Sequence, residues 1–460
     1  MTYKKNANEH KVYVRFKNQG LARLRNAMLR DSSRECFAVL LAKRQQAGHV
    51  TVFTVVESVF PASDLYNDRS LSHLQVHEDF IKYILTEIYE RVDVDTIIQC
   101  HTHPFSEKDA WFSPTDDQDD SKFAAYLHEV TGNAIHFLSI VFSQKEYKAR
   151  YMGKANSRIV SIPALIRTQK VSEQIKSPDD MEDSPEIGEM FQRSVLALGL
   201  DNMRKMVYGQ KVSIIGVGGL GSIIAEQLIH MGIRTVNLID YDKVELTNLN
   251  RLIGVSYQDA KKKRLKVECV REHLLRINPQ AKVNAYPLNV CEPTLEPVIA
   301  ESNWLFIATD NQASRYHVQS LAFKYYVPFI SAGVGIHVKD DAIVDMRGEV
   351  ILVRMGDSVC SRCLGRVNFD EIAFEEHPDS AVREQLVAKG YVRGRDVKEP
   401  AVITLNTHTA TLAADVFINQ FTERQKDNII TVFEDNFRPR ICLDMDSVKR
   451  KKQRCGICDI

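Results

Sequence analysis

The chain has 460 residues, of which 44% are hydrophobic and 26% are charged. This composition is typical of globular proteins, and the length favours two or three domains, of which we expect two. The 60 basic side chains balance the 60 acidic ones, so the net charge indicates neither nucleic acid nor an anionic membrane as a partner. The sequence has no apolar run of about 18 residues and no signal-peptide core near its start, which predicts a cytoplasmic protein without membrane spans.

The first part of the chain is predicted to contain both strands and helices. β-branched and aromatic residues cluster or alternate at 11–16 and 50–60, which predicts strands. Apolar residues follow helical spacing at 18–30 and 77–92. We therefore expect a mixed α/β domain here.

A segment rich in charge, Ser and Pro separates this part from the rest of the chain. Apolar residues become rare between 170 and 189, as is typical of a connection between folding units. We predict a first domain at 1–168, a linker at 169–188 and a second domain at 189–460.

The second part alternates short apolar strand patterns with helical ones. The strand patterns are VSIIGV, TVNLID and WLFIATD, and helical spacing covers 222–231 and 264–277. This alternation predicts a doubly wound, Rossmann-like parallel sheet with helices on both faces.

A glycine-rich loop follows the first of these strands and opens a helix, an arrangement that lets backbone approach a phosphate group. Asp240 ends the next strand, where a dinucleotide fold places the acid that binds ribose hydroxyls, so a dehydrogenase is the first hypothesis. The segment after that strand is rich in acids and amides and ends in Arg251, which suits a triphosphate better than a nicotinamide. The predicted loop residues are Gly216, Gly218, Gly219, Gly221, Asp242, Asn248 and Asn250.

Four of the nine cysteines form two Cys-x-x-Cys pairs, Cys360 with Cys363 and Cys455 with Cys458. Four thiolates in two such pairs fit a closed tetrahedral zinc site, which would be structural because no coordination position stays open. A redox-active dithiol is the alternative.

Residues 190–460 resemble the ubiquitin-activating enzymes and their bacterial relatives, the ThiF, MoeB and HesA adenylyltransferases. The resemblance implies that the domain adenylates the C-terminus of a ubiquitin-like or sulfur-carrier protein with ATP and Mg²⁺, and that the paired cysteines bind zinc. It assigns the ribose to Asp240 and magnesium to Asp310, beside Asn311. Phosphate contacts fall to Asn248, Arg251 and Lys266, and Arg193 matches an arginine inserted into the partner subunit of a homodimer.

Conjugating members of this family transfer the activated carboxylate to a cysteine between the two pairs. Cys442 alone lies in that interval, within RPRICLDMDS, which predicts a buried strand and not a mobile loop. The late helix predicted in PAVITLNTHTATLAADVF has no cysteine. We therefore do not predict a thioester, and transfer to a conjugating enzyme stays open.

The first part carries a candidate catalytic metal site. His101 and His103 alternate at the end of a predicted strand, so both point to the same side. With Asp116 they form a two-histidine, one-carboxylate set that leaves one zinc position open for water. Glu35 and Glu57 are both candidates for the general base.

Residues 10–165 resemble the JAMM (MPN+) metallopeptidases, which have a mixed α/β, cytidine-deaminase-like fold and cleave ubiquitin-like proteins from precursors or conjugates. The resemblance favours Glu35 as the base and assigns support of the reacting oxygen to Ser113. Two family glycines are replaced by Ala38 and Ala42.

Trp111 and Phe112 precede the predicted metal ligand and are either loop anchors or walls for an extended substrate. The nearby acids are expected to be solvated and not to be ligands; they are Asp117, Asp119 and Asp120.

Together the two resemblances imply a bifunctional enzyme that adenylates a ubiquitin-like protein and cleaves its precursors or conjugates, within a bacterial conjugation pathway with an antiphage role. One alternative is activation of a sulfur-carrier protein for thiocarboxylate formation. Another is a non-catalytic binding module that uses its metal and nucleotide sites only for docking. The expected cofactors are ATP, Mg²⁺ and two zinc ions, one catalytic and one structural.

Overall fold

The computed structural model describes residues 10–427, except 72, 156–157, 176–186, 357, 380, 384 and 386–399, and the backbone of 430–434 and 438–443. The chain divides into two compact units, Met1–Ser184 and Pro185–Ile460. Among the described residues, no helix is long and apolar enough to cross a membrane.

The first unit combines strands and helices, as predicted. Its strands are β1 (Lys11–Arg15), β2 (Phe37–Ala47), β3 (Val50–Val59), β4 (Tyr66–Arg69), β5 (Leu74–Val76), β6 (Thr96–Thr102), β7 (His136–Phe142), β8 (Tyr147–Ala155) and β9 (Arg158–Arg167). Its helices are α1 (Gly20–Met28), α2 (Glu78–Glu90) and α3 (Pro114–Thr131).

Seven of these strands close into a barrel in the order β1-β3-β2-β6-β7-β8-β9, because β1 pairs in parallel with both β3 and β9. The strands β4 and β5 form a separate hairpin. The predicted metal ligand His101 lies near the end of β6, which pairs with β2 on one side and β7 on the other.

The barrel wall packs against helices through both of its faces. Ala38, Leu40 and Ala42 of β2 join one buried cluster, which includes the apolar side chains of α1. Phe37, Val39 and Leu41 join a second cluster, with the apolar faces of α2 and α3. The apolar run of β2 follows from burial on both faces, and each alanine is fully buried where the JAMM pattern has glycine.

The described start of the predicted linker packs onto the first unit. Val171 and Ile175 are buried, and Ile175 belongs to the same cluster as the residues of β1 and α1. Gln169 is buried as well, and its amide donates to the carbonyl of Phe16. Residues 169–175 are thus part of the first unit.

The second unit contains the predicted alternation of strands and helices. Its strands are β10 (Lys211–Ile215), β11 (Thr235–Ile239), β12 (Lys282–Tyr286), β13 (Trp304–Ile307), β14 (Phe329–Lys339), β15 (Ala342–Val353), β16 (Ile430–Glu434) and β17 (Arg438–Leu443). Its helices are α4 (Gln192–Leu198), α5 (Leu200–Gly209), α6 (Gly219–His230), α7 (Tyr257–Lys261), α8 (Lys266–Ile277), α9 (Glu296–Glu301), α10 (Gln312–Lys324), α11 (Phe369–Glu376) and α12 (Ile403–Thr422).

These strands form one sheet in the order β12-β11-β10-β13-β14-β15-β16-β17. The first five strands are parallel, which confirms the predicted Rossmann-like core, and the last three add antiparallel pairs. The central parallel strands β10, β11 and β13 are almost fully buried, consistent with their apolar sequences. The chain reverses its direction of travel across the sheet next to β10, and ligands of such sheets bind at that point.

Candidate functional sites

The glycine loop lies between β10 and α6, at the carboxyl end of the central strand. Gly216 has a φ of +86°, and a Cβ there would lie 2.7 Å from the backbone nitrogen of Thr309. A Cβ on Gly221 would overlap the carbonyl oxygen of Gly216, whereas one on Gly218 would meet no atom of the described residues within 4 Å. The fold itself requires glycine at 216 and 221, and Gly218 leaves open space that a ligand can approach.

Asp240 follows β11 and ties the end of that strand to the glycine loop. Its carboxylate accepts hydrogen bonds from the backbone N–H of Val217 at 2.7 Å and of Asp242 at 2.8 Å. Burial raises the pKa of Asp240, and the positive charge of Lys266 opposes that shift. The predicted ribose acid thus lies at the glycine loop, with a lysine nearby.

Lys266 opens α8 and is paired with Asp242. Its ammonium nitrogen lies 2.7 Å from Oδ2 of Asp242, and its backbone N–H donates to the carbonyl of the same residue at 3.0 Å. The charges of two predicted nucleotide-binding residues, Lys266 and Asp242, therefore neutralise each other. A phosphate would compete with Asp242 for the lysine.

Arg251 also lies against the glycine loop, because a Cβ on Gly219 would come within 3.1 Å of its side chain. Its Nη1 donates to the carbonyl of Thr247 and to Oδ1 of Asn250, both at 2.9 Å. Nδ2 of Asn250 in turn donates to the carbonyl of Ala401 at 3.1 Å. Asn248 uses Oδ1 to accept from the N–H of Glu245 at 3.0 Å, which caps a short 3-10 turn.

Asn406 is a neighbour of this loop that the sequence did not indicate. It lies in α12 and is buried, and its amide nitrogen would overlap a Cβ placed on Gly219. Asn406 stands among threonines and a histidine in ITLNTHTA, so no local pattern marks it as a residue of the site.

The remaining predicted residues of the nucleotide site lie after β13 and in α4. Asp310 is exposed, and its charge acts with those of Asp240 and Asp242 on Tyr241, whose pKa is raised by burial and by these acids. Asn311 caps α10: its Oδ1 accepts from the N–H of Ser314 at 2.7 Å. Arg193 is exposed in α4.

The first cysteine pair lies in a tight turn after β15. Cys360 is buried and Cys363 half-buried, and the carbonyl of Cys360 accepts from the N–H of Leu364 at 3.1 Å. Cys455 and Cys458 lie outside the described residues, and only the backbone of Cys442 in β17 is described. The four-cysteine zinc site stays a prediction.

The predicted ligands of the catalytic metal converge in the first unit. His101 lies in β6, His103 directly after it, and Asp116 in the first turn of α3, with one ligand atom of each within 4.8 Å of the others. Nε2 of His101 and Nδ1 of His103 are buried, and neither makes a hydrogen bond within the described part of the chain. Two unsatisfied ring nitrogens beside a carboxylate fit a divalent metal such as zinc, so the residues present match the implied ion.

Helix capping aims the carboxylate of Asp116 at the histidines. Ser113 is the N-cap of α3 and its Oγ accepts from the N–H of Asp116, while Oδ2 of Asp116 accepts from the N–H of Ser113 at 2.6 Å. The other oxygen, Oδ1, lies 3.4 Å from Nε2 of His101. The capping box fixes one oxygen and leaves the second for a ligand.

Burial and charge set the protonation of this cluster. Burial raises the pKa of Glu35 to about 7; Asp116 reinforces this shift and His101 opposes it. Burial lowers the pKa of His103 to about 4, so its ring is neutral at pH 7, as a metal ligand must be. Burial would raise the pKa of Asp116, but His101 and the contacts with Ser113 hold it below its usual range.

Glu35, and not Glu57, lies beside the predicted metal ligands. Glu35 is buried beside them, and its backbone is held by the N–H bond to the carbonyl of Ser70 at 2.8 Å. Glu57 is half-exposed in β3 and forms an ion pair with Arg91 at 2.6 Å. Sequence alone left both glutamates open, and packing distinguishes them.

Aromatic rings cover one side of the cluster. The ring of His103 stacks on Phe105, with centroids 5.2 Å apart, and lies 5.0 Å from Trp111. Phe105 and Trp111 are 48% and 41% exposed, so they can contact a substrate as well as the histidine.

The expectation that Asp120 is solvated was wrong. Asp120 is buried and forms an ion pair with Arg150, a residue that the sequence did not indicate, while Asp119 is exposed as predicted. Asp117, which is largely exposed, contacts the same arginine. Both acids, which stand at i and i+3 on α3, share this partner on β8, 33 and 30 residues later in the sequence.

A model of the ThiF family matches residues 191–453, more than half of the chain. Molybdopterin-synthase adenylyltransferase of Escherichia coli is 30% identical over 179 residues, which are 38% of this chain and 68% of that protein. Ubiquitin-like modifier-activating enzyme 5 of Caenorhabditis elegans is 38% identical over 93 residues, 20% of this chain and 22% of that protein.

Among solved structures, Escherichia coli MccB with AMPCPP and MccA is similar, with 19% identity and a TM-score of 0.46. The match covers 62% of this chain and 77% of that one. The same protein with ATP gives a TM-score of 0.45 over 59% of this chain and 75% of the other.

Proposed function

Because the chain belongs to the ThiF family, whose adenylyltransferases use ATP and Mg²⁺, we propose that its second unit adenylates the C-terminal carboxylate of a ubiquitin-like protein. The observation that carries this proposal is the convergence of Asp240, Lys266 and Arg251 on the glycine loop. The names of the relatives, which include an activating enzyme for a ubiquitin-like modifier, support this substrate class.

Catalysis of this reaction depends on positive charge around the phosphates and not on a covalent intermediate with the protein. A carboxylate oxygen of the modifier bonds to the α-phosphorus, and the bond from that phosphorus to the bridging oxygen breaks, releasing pyrophosphate with its electron pair. Lys266 and Arg251 stabilise the negative charge that accumulates. Asp310 and its neighbouring acids would hold magnesium, which neutralises the leaving pyrophosphate.

Exchange of labelled pyrophosphate into ATP tests this activity. We expect exchange that depends on an added ubiquitin-like protein and falls at least about 100-fold in Asp310→Ala, as when a group that stabilises the transition-state charge is removed. Asp201→Ala, an exposed carboxylate on α5, is the control and should keep full exchange. If no ubiquitin-like protein supports exchange but a sulfur-carrier protein or a peptide does, the proposed substrate class is wrong.

The active unit is proposed to be a homodimer. Arg193 and Leu196 are both exposed on α4, and Leu196 is 87% exposed, so both side chains are accessible to a partner subunit. Sedimentation should give a dimer for the native protein and a monomer for Leu196→Glu. A native monomer contradicts the proposal.

We assign a second activity to the first unit: zinc-dependent hydrolysis of the peptide or isopeptide bond that follows a ubiquitin-like tail. The three converging ligands and the adjacent glutamate support it. A zinc ion held by His101, His103 and Asp116 would polarise a water molecule and the scissile carbonyl.

The other steps belong to side chains of the chain itself. Glu35, with a pKa near neutrality, accepts a proton from the attacking water and returns it to the leaving amine. Ser113 accepts one hydrogen bond from the N–H of Asp116, so its own O–H remains able to donate to the oxyanion. Phe105 and Trp111 flank His103 and are part-exposed, so a bound tail would contact them.

Cleavage of a fusion between a ubiquitin-like protein and a reporter tests this activity. We expect cleavage to stop on chelation and to fall about 100-fold or more in Glu35→Gln, because a positioned base contributes about that factor. Glu57→Gln is the matched control and should cleave normally. If Glu57→Gln abolishes cleavage and Glu35→Gln does not, the assigned base is wrong.

Bound metal can be counted to test the two proposed zinc sites separately. Elemental analysis should give two zinc ions per chain, one in His101→Ala and one in Cys360→Ser. One ion in the native protein that only His101→Ala removes would contradict the cysteine site.

A modifier adduct on a non-reducing gel that Cys442→Ala abolishes would establish a thioester and a route to a conjugating enzyme.

A further inference from the structure

Arg150 links β8 to the segment that carries the proposed metal ligand Asp116. It lies opposite Ser139 of β7 and is buried. Its Nε donates to Oδ2 of Asp120 at 2.8 Å, its Nη2 contacts the same oxygen, and its Nη1 contacts Oδ1 of Asp117. The guanidinium carbon also lies 3.7 Å from the ring centre of Phe112.

These contacts fall on both sides of the ligand. Phe112 stands four residues before Asp116 and Asp120 stands four residues after it, so one side chain holds the loop that enters α3 and the first turns of the helix. The capping box with Ser113 fixes one oxygen of the Asp116 carboxylate, and the other oxygen lies 3.4 Å from Nε2 of His101. The direction in which the whole cap faces His101 depends on how α3 sits on the barrel, and Arg150 joins the two.

The charges of this group also favour a cation at the site. Arg150 carries one positive charge and Asp117 and Asp120 carry two negative ones, so the trio has a net charge of about −1. The three side chains therefore hold the segment around Asp116 in place without adding net positive charge beside the proposed metal site.

We propose that Arg150 is a positioning residue for the metal: by holding Phe112, Asp117 and Asp120 together, it orients the carboxylate of Asp116 toward His101 and His103. This inference rests on the metal site proposed above. The planar guanidinium is needed because it bonds two carboxylates along its edge and stacks on a ring with its face, and a lysine can do neither in that geometry.

Cobalt and zinc binding to the full chain test the inference without an activity assay. The signal of this site is the part of the cobalt absorption that His101→Ala removes. We expect Arg150→Lys and Arg150→Met to bind zinc about 10- to 100-fold more weakly at this site, the effect typical of partners that orient ligands. The cobalt absorption should also lose intensity, since a misplaced carboxylate changes the coordination geometry.

A second buried arginine provides the matched control. Arg15 in β1 is 2% exposed, and its pKa is lowered to about 9 by burial, so Arg15→Met should destabilise the barrel as a buried-arginine variant does. Its zinc affinity and cobalt spectrum should stay native, although its melting temperature falls. Asp117→Asn, which removes an exposed partner, keeps the fold and is expected to weaken zinc binding less than Arg150→Lys does.

Two results would overturn the inference, and they differ from each other. If the native chain binds no metal that His101→Ala removes, the proposed metal site fails and the role of Arg150 fails with it. If the native chain binds zinc there and Arg150→Lys binds equally well with the same cobalt spectrum, the metal site stands and Arg150 is only structural.

Discussion

The proposed metal site of the first unit and the proposed nucleotide loop of the second differ in how their polar atoms are satisfied before a ligand binds. Two buried ring nitrogens of the proposed metal site, beside a carboxylate oxygen, make no hydrogen bond to any residue that the structure describes. In the loop, Lys266 pairs with Asp242, and Arg251 donates to Asn250 and to a backbone carbonyl. The cluster gains partners on binding, whereas the loop must exchange one set of partners for another.

The difference follows from how each site is built. Strand register and a helix cap fix the ligand atoms of the proposed metal site. The free-energy cost of burying these atoms without hydrogen bonds is offset by the packing of the surrounding core. Arg251 lies in the segment after β11 and Lys266 at the start of α8, and both already have hydrogen-bond or ion-pair partners nearby. We therefore expect the metal site to depend on packing and the nucleotide site to depend on charge and backbone space.

The largest effect is expected where the loop depends on backbone space. In Gly221→Ala the new Cβ would overlap the carbonyl oxygen of Gly216, which backbone cannot easily relieve, so we expect destabilisation of more than about 3 kcal/mol in the second unit. Calorimetry should show an early unfolding transition, and pyrophosphate exchange should be lost. Zinc binding by the first unit should persist, and Gly209→Ala, where a Cβ meets nothing within 4 Å, should be native.

A smaller effect is expected from removing charge without altering the backbone. Lys266→Met should lower kcat/KM for exchange about 100-fold, because the accumulating phosphate charge loses a partner. Asp242→Asn breaks the same ion pair but keeps the lysine, and exchange should change less than about tenfold. Equal losses in the two variants would mean that the ion pair itself, and not the free cation, is required.

Gly218→Ala should have a still smaller and more selective effect. The position has open space, so the melting temperature should stay native. If phosphate approaches the backbone there, the added methyl group should raise the KM for ATP by about tenfold, roughly 1.4 kcal/mol, with kcat retained. An unchanged KM would place the phosphates elsewhere along the loop.

The smallest expected effect is a difference in the number of protons released when zinc binds at the proposed metal site. The pKa of Glu35 is about 7 without metal, so at pH 7 about half of the glutamates are protonated. A bound cation favours the carboxylate, so zinc should release about half a proton more per site from the native chain than from Glu35→Gln. Calorimetric titration in buffers of different ionisation enthalpy measures this difference. Equal release by the two proteins would mean that Glu35 does not face the metal.

The secondary-structure elements and the residue types of the two sites could be predicted because their sequence signals are local. The alternation in 11–16 and 50–60 became β1 and β3, and the strands around the glycine loop form the parallel core. His101, His103 and Asp116 were found from short motifs, and the structure brings them together. Each of these patterns spans few residues, so periodicity and spacing suffice.

Other features depended on contacts between distant segments. Asp120 looks like a solvated acid until Arg150 on β8 is placed beside it, and Glu35 and Glu57 are equivalent candidates until Arg91 pairs with one of them. Asn406 gives no local sign of lying on the glycine loop.

The sequence by itself determined the order of the strands and helices and the residue types of both sites, since backbone preference and motif spacing act over short stretches. The tertiary structure decided which of those residues meet and which already have partners. Strand register and helix packing bring together side chains that are tens to hundreds of residues apart, and burial then sets whether a polar atom is left to bind a ligand.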